Sequence, residues 1–121
     1  MHNILLIEND FSNIELIKAI VKGICNLEIA LNYQEAIKIA NQQVYNAIVL
    51  DIHLGNGPDG LETYKEIRKI EGYLDVPVII VTAFATHPEK EKILESGINS
   101  FLTKPININL FKLTLNKVLF K

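Results

Sequence analysis

Apolar residues along the chain fall into short runs at 4–7, 27–31, 47–50, 78–81 and 100–102. The first, third and fourth are continuously apolar, the pattern of strands buried on both faces, whereas the second and fifth are broken by polar residues. Between and after them lie segments with helical spacing, at 11–23, 33–43, 61–71, 87–96 and 108–119. Local signals support those helices. Asn32 with Glu35 and Thr86 with Glu89 have the spacing of capping boxes, and Gly23, Gly72 and Gly97 stand where helices should stop. Strands alternating with helices predict a doubly wound α/β domain over residues 1–121, with a five-stranded parallel sheet covered on both faces by the helices of a (βα)5 chain.

Composition narrows this picture without changing it. The chain has 121 residues, 49% hydrophobic and 21% charged, enough for one core. Twelve basic against fourteen acidic residues give a net charge of −2, and the lysines are dispersed. That argues against a nucleic-acid footprint. No apolar run approaches the length of a membrane span, and the first residues lack the basic and apolar regions of a signal peptide. Cys25 has no partner for a disulfide and reads as a small core residue. A cytoplasmic protein is expected.

In an open α/β sheet, ligands bind beyond the carboxyl ends of the strands. The residues there are Glu8-Asn9-Asp10, Asp51, Thr82-Ala83 and Lys104-Pro105. Each has an ordinary structural use; Asp10, for instance, suits a helix N-cap. Together they converge on one edge. Oxygen donors without a His or Cys cluster favour a hard cation such as Mg²⁺. A carboxylate fixed at a strand end can attack phosphorus to give an acyl phosphate. Lys104 and Thr82 can then pair with phosphoryl oxygens.

The segments Ile4-Leu-Leu-Ile-Glu-Asn-Asp10, Asp51-Ile-His-Leu54, Thr82-Ala83 and Lys104-Pro105 resemble, in order and spacing, the receiver domains of two-component response regulators. The resemblance implies a flavodoxin-like three-layer sandwich in which Asp51 is the phosphoacceptor. It implies Mg²⁺ held by Glu8, Asn9, Asp51 and the carbonyl of His53, and a phosphoryl group met by Thr82, Ala83 and Lys104. Thr82 and Phe101 fall at the family's switch positions, and the bond before Pro105 is expected to be cis. The implied partners are a sensor histidine kinase or histidine phosphotransfer protein upstream and a protein target or effector domain downstream. The implied catalysis is limited to the domain's own phosphotransfer and dephosphorylation.

Two positions depart from the family's pattern. Asn9 stands where a carboxylate is common, which removes one negative charge from the cation site unless Asp10 swings in. The loop from Leu54 to Gly60 is one residue longer than the usual form and lacks the usual proline after Leu54. Its Gly55-Asn-Gly-Pro-Asp-Gly60 formally matches a dinucleotide fingerprint, but it follows the third strand and lies beside Asp51 and Asp59. A phosphohydrolase with an aspartate nucleophile would want a second Asp where His53 stands. A pseudo-receiver that binds partners without phosphorylation has Asn9 alone in its favour. On the last helix, Phe111, Thr114, Leu115 and Val118 form the expected core stripe. Leu110, Leu113, Leu119 and Phe120 widen it, so a homodimer through helix four, strand five and helix five is the expected self-contact. With no output domain in view after helix five, output is expected through contact.

Overall fold

Strands that are apolar at every position need cover on both sides, and the sheet order supplies it. In the computed structural model, which describes residues 1–55, 57–83, 86–98 and 100–120, the strands are β1 (His2–Ile7), β2 (Cys25–Ala30), β3 (Ala47–Leu50), β4 (Val78–Thr82) and β5 (Ser100–Thr103). They pair in the order β2-β1-β3-β4-β5, every pair parallel. The two strands with broken patterns, β2 and β5, are the sheet edges. The three unbroken ones are interior.

The helices are α1 (Phe11–Val21), α2 (Tyr33–Ala40), α3 (Gly60–Arg68), α4 (His87–Glu95) and α5 (Ile108–Leu119). Strand side chains alternate between two cores. Ile4, Leu6, Val49, Ile79 and Val81 meet Ile14, Ile17 and Ile20 of α1 and Phe111 and Leu115 of α5. Leu5, Ile7, Ile48, Leu50 and Ile80 meet Ala36 and Ala40 of α2, Ile67 of α3 and Ile93 of α4. This is the three-layer α/β sandwich expected from the alternating runs.

Boundaries differ in ways that have physical reasons. Helix α2 ends at Ala40 rather than residue 43, and Asn41 folds its side-chain amide back onto the Ile37 carbonyl. Helix α3 stops at Arg68, whose guanidinium donates to the Tyr73 and Leu74 carbonyls and so fixes the turn into β4. Tyr73 is fully buried, and its hydroxyl donates to the carbonyls of Ala40 and Gln43, at 2.9 and 2.7 Å. Cys25 is buried in the α1–α5 core. On α5, Phe111 and Leu115 are buried and Thr114 and Val118 half-buried, while Leu110, Leu113 and Phe120 are exposed.

Candidate functional site

Strand register aligns the carboxyl ends. Ile7 pairs with Ala30 and Leu50, and Thr82 with Thr103, so the residues that follow emerge along one edge. Glu8, Asp51 and Thr82 are all buried there, although they are polar. Lys104 reaches across the edge from beyond β5. Its ammonium lies 2.8 Å from Glu8 Oε1 and 3.1 Å from Asp51 Oδ2. The other Glu8 oxygen accepts from the backbone N–H groups of Asn9 and Asp10. The other Asp51 oxygen accepts from the His53 N–H at 3.2 Å. Both carboxylates are therefore held at both ends. The Lys104-Pro105 peptide bond is cis.

One ammonium between two buried carboxylates cannot fully offset both. Burial pushes the Glu8 carboxyl up to about 7, with the Lys104 hydrogen bond acting in the opposite direction and Asp51 adding to the rise. Burial also works against the charge on Lys104. The hydrogen bond to Glu8 and the charge of Asp51 outweigh it, so the Lys104 value lies above its ordinary one.

Thr82 Oγ1 is buried and has no hydrogen-bond partner among the described residues. A buried hydroxyl left unpaired costs free energy unless something else meets it. Ala83 is exposed at the end of β4. Phe101 is half-buried against the α2–α4 core and lines a groove of about 280 Å³ with Lys90, Ile93, Leu94 and Ile98.

The loops on either side are fixed by caps. Asp10 caps α1, accepting from the N–H groups of Ser12 and Asn13 at 2.8 and 3.2 Å. It is thus engaged in the helix and not turned toward Glu8. Asn9 is exposed, on the side of Gly55 in the loop after β3. In that loop Asn56 lies outside the described residues. Helix α3 begins with a full capping box between Asp59 and Glu62. Its first residue, Gly60, presses on the backbone that follows β3 so closely that a Cβ would stand 2.1 Å from the Asp51 carbonyl oxygen.

A hard cation fits this donor set. Glu8 and Asp51 supply two carboxylates, and Mg²⁺ commonly takes one or two and retains water. Among the described residues no three Asp, Glu, His or Cys side chains gather as metal ligands, so any remaining protein donors must be amide or main-chain oxygens. Asn9 and the carbonyl of His53 are of that kind.

Sequence spacing did not reveal two contacts. Thr86 caps α4 by accepting from the Glu89 N–H, but Glu89 does not reach back as a capping box requires. Its carboxylate instead meets His53 Nε2 at 3.1 Å. Gly60 was the other, since its role depends on how α3 approaches β3. The remaining histidines are occupied locally: His2 stacks edge-on with Phe120, and His87 pairs with Glu91.

The family model for the response regulator receiver domain matches residues 4–116. The chain belongs to that family. Among curated proteins, this receiver domain is 38% identical over 110 residues to the osmosensing histidine protein kinase SLN1 of Saccharomyces cerevisiae, covering 85% of the chain and 9% of that protein. It is 29% identical over 118 residues to the transcriptional regulatory protein ZraR of Klebsiella oxytoca, covering 97% of the chain and 26% of ZraR. It thus spans about a quarter or less of these relatives. Among solved structures, the receiver domain of the sensor histidine kinase PA1611 from Pseudomonas aeruginosa superposes with a TM-score of 0.88 at 29% identity, covering 99% of this chain and 98% of that one. That structure has a magnesium ion coordinated in its active-site cleft. No described helix is long and apolar enough to cross a membrane.

Proposed function

We propose that this receiver domain accepts a phosphoryl group on Asp51 and changes conformation to control a protein partner. The observation that carries the reading is the arrangement at Asp51: a buried carboxylate held by Lys104 Nζ on one oxygen and the His53 N–H on the other. In the transfer, an Asp51 oxygen forms a bond to phosphorus. The donor's P–N bond, if it is a phosphohistidine, breaks, its electron pair stays on the imidazole, and solvent supplies the proton. Lys104 offsets charge on the phosphoryl oxygens, and Ala83 and the Thr82 hydroxyl lie at the end of β4 to meet them. Glu8, Asn9, Asp51 and the His53 carbonyl would hold Mg²⁺, which when bound offsets the charge of the transferring group.

Upstream, a sensor histidine kinase or a histidine phosphotransfer protein is the donor, in keeping with a curated relative that is itself a histidine kinase. Downstream, the target is a protein or effector domain, and the α4–β5–α5 face, with Leu110 and Leu113 exposed on α5, is the surface for that target or for a second copy. The domain acts in the cytoplasm and catalyses nothing beyond its own phosphorylation and dephosphorylation. The test is incubation with Mg²⁺ and a small phosphodonor, followed by intact-mass and peptide analysis. The wild type should gain one acid-labile, hydroxylamine-sensitive phosphoryl group on Asp51, and Asp51→Asn should gain none. Native labelling of the variant would remove Asp51 from the mechanism.

A further inference from the structure

The Glu89 carboxylate is turned away from the helix it begins. At the third position of α4, three residues after Thr86, its ordinary use would be to close a capping box. It gives up that bond. One oxygen meets His53 Nε2 at 3.1 Å, and the other is buried without a partner among the described residues; Glu89 lines a cavity of about 100 Å³ whose walls include Ile52, Asp59 and Leu61. His53 in turn donates its backbone N–H to Asp51 Oδ1 at 3.2 Å. A continuous path therefore runs from the first turn of α4, through one side chain and one peptide group, to the carboxylate that takes the phosphoryl group.

We propose that Glu89 is a positioning residue for Asp51, acting through His53. By gripping the imidazole it fixes the peptide of residue 53, whose N–H sets the orientation of one Asp51 oxygen while Lys104 sets the other. Reactivity of a carboxylate depends on how well it is aimed, and a small displacement of the supporting peptide lowers the fraction that is aligned for attack. The coupling works in both directions. A change at Asp51 that alters the His53 hydrogen bond is felt at the start of α4, and a partner that shifts α4 alters Asp51. The proposal rests on Asp51 being the phosphoacceptor.

The test compares the whole chain with Glu89→Ala, Glu89→Gln, His53→Ala and the Glu89→Ala/His53→Ala double variant. Amide hydrogen exchange is read by NMR on metal-free protein, and phosphorylation by a small phosphodonor is timed separately with Mg²⁺. Glu89→Ala should speed exchange at the His53 amide by roughly threefold to tenfold, the scale of one lost hydrogen bond, while the Leu50 and Ile80 amides keep their protection. Phosphorylation should slow by a similar factor. Glu89→Gln, whose amide oxygen can still accept from the imidazole, should recover most of both effects. In the His53→Ala background, Glu89→Ala should add nothing. An unchanged His53 amide in Glu89→Ala overturns the proposal, as does a Glu89→Ala effect on phosphorylation that persists without His53. A wild type that takes up no phosphoryl group overturns the Asp51 reading instead, and the exchange measurement then decides the Glu89 contact alone.

Discussion

Burial of Glu8 beside Asp51 outweighs what the one ammonium of Lys104 offsets, and the consequence is a measurable pH dependence. Glu8 is pushed from 4.5 up to about 7, so between those values the folded chain holds a proton that the unfolded chain has released. Stability of the metal-free domain should therefore fall as pH rises through that window, by about 1–3 kcal/mol once solvent screening is counted. Urea unfolding at pH 5 and pH 8 reads this directly, and Glu8→Gln should flatten the difference. Equal slopes in wild type and variant would return Glu8 to the ordinary carboxylate range. Mg²⁺ needs the ionised carboxylate, so its affinity should climb over the same range. Asn9 sets a second limit. Because Asp10 is committed to Ser12 and Asn13, it does not replace the missing charge, and Asn9→Asp should tighten Mg²⁺ by about 1 kcal/mol, roughly fivefold. Equal binding in a titration would mean that position 9 does not face the ion. The identities of Glu8, Asp51, Thr82 and Lys104 as candidates could be read from the chain because each closes or follows a strand. The shift at Glu8 could not, since it depends on how deeply the edge is buried and on a lysine ninety-six positions away.

Elements were legible to the degree that their signals were local. Unbroken runs identified β1, β3 and β4, and the weaker runs of β2 and β5 are explained by their places at the sheet edges, where β2 exposes Asn26 and Glu28 and only half-buries Leu27 and Ile29. The Asp59–Glu62 capping box has the same spacing as the two boxes expected at Asn32 and Thr86, yet it lies inside a glycine-rich loop that masks it. Of the two expected boxes, Asn32 accepts from Glu35 N–H while Glu35 reaches back to Leu31, one residue earlier than the pattern requires. Long-range packing was not legible, and Gly60 shows why. Its backbone N–H donates to the Ile52 carbonyl at 2.7 Å, bringing the start of α3 against β3 with no room for a side chain. Gly60→Ala should destabilise the domain by about 3 kcal/mol or more, because the clash is with backbone and not with a side chain that can move. Chemical denaturation measures this. A loss under about 0.5 kcal/mol, the range of ordinary surface changes, would show that α3 can shift away from Asp51 at little cost.

At the scale of the molecule, the site and the α4–β5 surface are joined through β4 and β5. Thr82 ends β4 with a buried hydroxyl that has no partner among the described residues, and it pairs in the sheet with Thr103, two residues beyond Phe101. Phe101 itself is half-buried, on a groove that it shares with Ile93 and Leu94 of α4. A ligand can shift a two-state equilibrium only by binding one state better than the other. On the proposed reading, a phosphoryl group on Asp51 would give Thr82 a partner, and moving Thr82 toward it would open space behind β4 into which Phe101 could turn. The hydroxyl is then the group that distinguishes the two states. Thr82→Ala removes it while leaving Asp51, Lys104 and the cation donors in place, so the variant should still be phosphorylated but should couple poorly. With beryllofluoride and Mg²⁺, wild type should show chemical-shift changes at Phe101, Ile93 and Leu94, and Thr82→Ala should show most of the change at Asp51 and little at those residues. Identical shifts around Phe101 in the two proteins would mean that the signal reaches α4 by another route, and the path through Glu89 and His53 would then be the one to break next.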